Sequence, residues 1–67
     1  MVTGVVVNCL VNDILDKPSD DAVVITHLPS LTEVMVDEDE STDNFYKIYT
    51  ATSIEGYCNK RFIAVRQ

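Results

Sequence analysis

Positive charge is scarce in this chain: five Lys and Arg stand against 11 Asp and Glu, for a net charge of −6 at pH 7. Phosphate backbones attract the opposite balance, so nucleic acid is disfavoured as a partner. Length is short as well. Sixty-seven residues supply one domain, 1–67, and no second lobe, and a chain of that size buries only about 60% of the surface its unfolded form exposes. A deep catalytic cleft or an enclosed cofactor pocket does not fit so small a core, so neither an enzyme nor a cofactor is expected. Cys9 and Cys58 are too few for a disulfide-built scaffold and too far apart for a Cys-x-x-Cys redox motif. The opening MVTGVVVNCLVND has no basic stretch and no cleavage site, and its unbroken apolar run Val5–Val7 is far too short to cross a membrane. A cytoplasmic location is expected if the chain is complete, and a cell-wall or extracellular one if it is an excised domain. A monomer that binds no membrane is expected in either case.

What is present suits one small β core. Hydrophobic residues make up 46% of the chain and charged ones 24%, which argues against disorder. Gly4–Asn8 (GVVVN) is a β-branched run, and Cys9–Asp21 reads as a polar loop with a short extended piece at Ile14 and Leu15. Ala22–Leu28 is the next run, followed by a turn at Pro29 and Ser30. Thr32–Val36 alternates, with Val34 and Val36 on one face and Glu33 and Met35 on the other. Asp37–Asn44 (DEDESTDN), with five acids in eight residues, is an exposed loop. Phe45–Thr50 alternates again: Tyr46 and Ile48 face one way, Phe45, Lys47 and Tyr49 the other. Glu55–Cys58 (EGYC), a polar turn at Asn59–Arg61 and a last strand Phe62–Val65 complete the chain. No helical period and no internal repeat is visible. Short strands at this spacing predict an all-β, small antiparallel barrel, since closure removes the exposed edges.

The order GVVVN, a polar loop with Lys17-Pro18-Ser19, AVVITHL, TEVMV, acidic loop, FYKIYT, EGYC, FIAV resembles the bacterial Src-homology-3-like (SH3b) domain family over Gly4–Val65. Phe45-Tyr46-Lys47-Ile48 and Gly56-Tyr57-Cys58 correspond to that family's aromatic-Tyr-Lys-Val and Gly-Trp-Val segments. The chain departs from the pattern where Asn12, Asp13, Ile14 and Leu15 replace Leu-Asn-Val-Arg, and where Leu31 and Ser53 replace turn glycines. If either of those two positions needs a positive φ, its side chain is strained by ~1 kcal/mol or more. The resemblance implies an SH3-like barrel of five to six strands that does no chemistry. It further implies recognition of peptidoglycan or its stem peptides, as in modules that tether cell-wall hydrolases. The alternative is an intracellular adaptor binding a peptide segment of a protein, as a free-standing small protein of a mobile element.

Candidate contacts follow. Alternation places Phe45 opposite Tyr46 and Tyr57 opposite Cys58, which leaves aromatics partly outside a small barrel. Phe62 falls at the groove aromatic of the related domains, and Asn59 replaces the Pro they carry. Phe45, Tyr57 and Phe62 are therefore expected to contact ligand, unless they cap the barrel ends. Asp16, Asp20 and Asp21 occupy the loop from which related domains pair with basic peptide residues; turn chemistry is the competing explanation. The acids of Asp37–Asp43 lack the order of a calcium loop. Cys9, Cys58 and His27 lack the paired spacing of a closed zinc site and the cleft of a thiol catalyst. No metal ligand is expected, Cys58 reads as core and His27 as an edge or turn residue, and a Cys9–Cys58 disulfide stays open.

Overall fold

A computed structural model describes residues 1–66. Seven strands form: β1 Val2–Val6, β2 Val11–Leu15, β3 Val24–Pro29, β4 Glu33–Asp37, β5 Phe45–Tyr49, β6 Glu55–Asn59 and β7 Ile63–Arg66. They make one antiparallel sheet in the order β3-β2-β6-β5-β4-β1-β7. There is no α-helix among the described residues, only 3-10 turns at Glu38–Glu40 and Lys60–Phe62. The all-β expectation therefore stands. The strand count rises from five or six to seven, and no ladder joins the end strands β3 and β7.

The sheet is strongly bent. A flat single layer is only about 10 Å thick, whereas the molecule measures 29 × 26 × 22 Å. Bending lets one face close on itself, and Val6, Ile14, Val34, Val36, Ile48, Cys58 and Ile63, drawn from six strands, meet in one buried cluster. The expected alternation holds on β4, where Val34 and Val36 are buried and Glu33 and Met35 exposed. It also holds on β6, where Cys58 is buried and Tyr57 only half so. Gly56 is required where β6 passes under β2, because a Cβ there would meet Ile14 Cγ2 at 2.6 Å and the Leu15 carbonyl at 2.8 Å.

The largest departure from the sequence reading is β2. Its inner residues are Asn12 and Ile14, so a polar side chain stands at a core position and hides the alternation. β1 starts two residues earlier than expected and stops before Asn8, which turns left-handed at φ 62. Phe62 belongs to the 3-10 turn rather than to the last strand. Leu31 and Ser53 do hold positive φ, at 70 and 66. The acidic segment Asp37–Asn44, which starts on the last residue of β4, is exposed except at Asp37 and Ser41. It is held by its own side chains: Asp39 N–H donates to Asp37 Oδ1 at 3.1 Å, and Ser41 Oγ accepts from Lys47 N–H at 3.0 Å.

Candidate functional site

One open groove, of about 360 Å³, brings together residues far apart in the chain. β2 supplies Val11, Asn12, Asp13 and Leu15, and the β2–β3 connection supplies Asp20. Phe45 opens β5 and Asn59 closes β6 directly opposite it in the ladder. The 3-10 turn then carries Phe62 back over the same spot, its start capped by Asn59 Oδ1, which accepts from Arg61 N–H at 3.0 Å. Of the residues expected to contact ligand, Phe45, Phe62 and Asp20 thus share this groove.

Phe45 corrects one detail. It was expected to be left partly outside, yet it is only 7% exposed. Lying outside the main core cluster, it forms the groove floor, because β2 and the 3-10 turn fold across the face it presents. Tyr57 is placed apart from these residues. It does not line the groove; it stands two ladder pairs further along β6, opposite Lys47. Lys47 Nζ lies 4.8 Å from the Tyr57 ring centroid and 4.0 Å from Glu55 Oε1, with its side chain only 16% exposed. The ring face that a ligand would stack on is taken up by this cation.

Asp16 lies outside the groove lining. Its Oδ1 accepts from Val23 N–H at 3.0 Å while its own N–H donates to the Val23 carbonyl at 3.0 Å, so it ties the end of the β2–β3 hairpin. The turn explanation holds for Asp21 too, whose carboxylate accepts from Ser19 Oγ. That bond holds the carboxyl below its ordinary range. The groove keeps two carboxylates, Asp13 and Asp20, and no Lys or Arg lines it. His27, exposed on the end strand β3, places Nδ1 2.7 Å from Asp13 Oδ1.

At the inner wall stands Asn12, 4% exposed, with its Nδ2 lacking a hydrogen-bond partner. Beside it lies the Cys58 thiol, which burial pushes up to about 12, Asn12 drawing it partly back. Cys9 and Cys58 are both free thiols, Cys9 packing against the core that contains Cys58. Among the described residues no three His, Cys, Asp or Glu side chains are grouped to hold a metal ion. A second hollow, about 230 Å³, lies between Met35, Tyr49 and Ala51 with Glu33 at its edge.

Sequence reasoning misses Val11, Asn12 and Asp13 as groove residues because it limits the extended piece to Ile14 and Leu15, whereas β2 begins at Val11. No family model matches the chain, and no curated protein or solved structure is similar to it.

Proposed function

We propose that the chain is a non-catalytic SH3-like module that binds a short extended peptide in the groove between the β2–β3 hairpin and the 3-10 turn. The observation that carries this reading is the convergence of Phe45, Phe62 and Asp20 on one groove with Asp13 beside them. Buried aromatic floor supplies apolar area, and the carboxylates orient an amine or guanidinium by charge-assisted hydrogen bonds. The thiol chemistry that Cys58 and His27 could offer is out of reach, since Cys58 is fully buried and His27 faces Asp13 on the outer edge.

The resemblance favours the stem peptide of peptidoglycan as the ligand, its free amine seated on Asp13 and Asp20. A basic segment of a protein partner is the second reading. It is favoured by the absence of any lining Lys or Arg to receive the stem peptide's own carboxylates. An NMR titration separates them, using a disaccharide-tripeptide muropeptide in one series and an arginine-bearing proline-rich decapeptide in the other. Saturable shifts at Phe45 and Phe62 with the muropeptide support wall recognition, and shifts with the decapeptide alone support the adaptor. Silence with both rejects peptide binding. Replacing both Asp13 and Asp20 with Asn is expected to weaken the bound series about tenfold or more, given ~1.5–3 kcal/mol for a hydrogen bond to a charged group.

A further inference from the structure

Asn12 is a polar side chain in a core position, and its Nδ2 is the buried side-chain nitrogen or oxygen left unpaired among the described residues. Native proteins rarely keep such a group without a use for it. Its surroundings show why it is unpaired in the free protein. The adjacent Cys58 stays protonated, so its sulfur offers Nδ2 only a weak acceptor while its own S–H is left without one. A half-turn of the carboxamide about its last side-chain bond resolves the conflict. Oδ1 would then accept from the Cys58 S–H, and Nδ2 would face the groove that Asn12 already lines.

Resting on the peptide-binding reading above, we propose that Asn12 reads the main chain of the bound peptide, its Nδ2 donating to a backbone carbonyl oxygen of the segment seated over Phe45. The acceptor is a neutral carbonyl rather than a carboxylate, because Asp13 and Asp20 line the same groove and repel an anion there. Such a contact fixes the depth and register of the peptide without selecting its sequence. Side-chain preference is left to the aromatic floor and the two carboxylates.

The test follows the Asn12 side-chain amide protons by nitrogen-resolved NMR in the wild-type chain. Two probes are used: N-methylacetamide, an uncharged peptide carbonyl, and the arginine-bearing decapeptide. The Asn12 amide protons are expected to move downfield and saturate with both. Asn12→Leu, which removes the unpaired donor, is expected to melt no lower than wild type and to bind the decapeptide at least tenfold more weakly. If Phe45 and Phe62 respond while the Asn12 amide stays unmoved, or if Asn12→Leu binds as tightly as wild type, the assignment is overturned and the groove reading stands. If neither probe moves any groove resonance, the assignment is overturned, and the groove reading falls with it when the muropeptide is silent as well.

Discussion

Leu31 and Ser53 hold backbone that suits glycine, at φ 70 and 66. A Cβ in that region clashes with the following carbonyl at a cost of about 1–2 kcal/mol, partly offset in any glycine variant by the larger freedom of the unfolded chain. Leu31 is 74% exposed, so its side chain returns little for the strain. Leu31→Gly and Ser53→Gly are each expected to raise the thermal midpoint, ~1 kcal/mol corresponding to about 4–8 °C in a domain this small. Differential scanning calorimetry measures it. Gly56→Ala should do the reverse and cost roughly 2–3 kcal/mol, because the Leu15 carbonyl 2.8 Å from the new Cβ is backbone and cannot swing aside. Cys58 sets an alkaline limit. Its thiol is held protonated up to about 12 in the fold, against about 8.5–9 in the unfolded chain. The unfolded state therefore loses its proton first, and the contribution is whole below about pH 9 and falls away as pH rises toward 12. Denaturant melts across that window should decline less steeply in Cys58→Val than in wild type.

Among the elements, the β2–β3 hairpin is the one that makes the groove and the one least secured to the rest. β2 runs against β3 along its whole length, but its ladder with β6 consists of the pair Leu15–Tyr57. β5 and β6, by contrast, are matched over five consecutive pairs. Local opening follows such differences, so amide protons of β2 and β3 are expected to exchange at a lower opening free energy than those of β5 and β6. Hydrogen exchange under native conditions measures this, and equal protection across all four strands would contradict it. β2 was also the element least legible in the sequence. A strand is read from apolar residues at every second position, and here one of the two inner positions is Asn12. β4 was legible because Val34 and Val36 alternate with Glu33 and Met35 without interruption. The acidic segment was legible as exposed because a run of carboxylates has no cheaper place than water.

For the whole molecule, the excess of acid extends into the groove proposed to bind peptide. With two carboxylates and no Lys or Arg lining the groove, attraction for a cationic peptide includes a long-range part that salt screens over about 8–10 Å. Affinity for the arginine-bearing decapeptide should therefore fall several-fold between 0.05 and 0.5 M salt, with the change mainly in the association rate; calorimetry and stopped-flow mixing check the two halves. The open ends of the sheet are guarded by local means. β3 finishes in Pro29, which offers no N–H, and its register against β2 slips between Ile14 and Leu15, the kind of irregularity that discourages edge pairing. The sequence by itself determined the all-β class, the exposure of the acidic segment and the scarcity of positive charge, because each depends on the local content of the chain. Tertiary structure alone decided which aromatics form the groove. Phe45, Tyr57 and Phe62 look equivalent along the chain. Only the bend of the sheet, the crossing of β2 and the 3-10 turn put Phe45 and Phe62 in one groove and leave Tyr57 beneath Lys47.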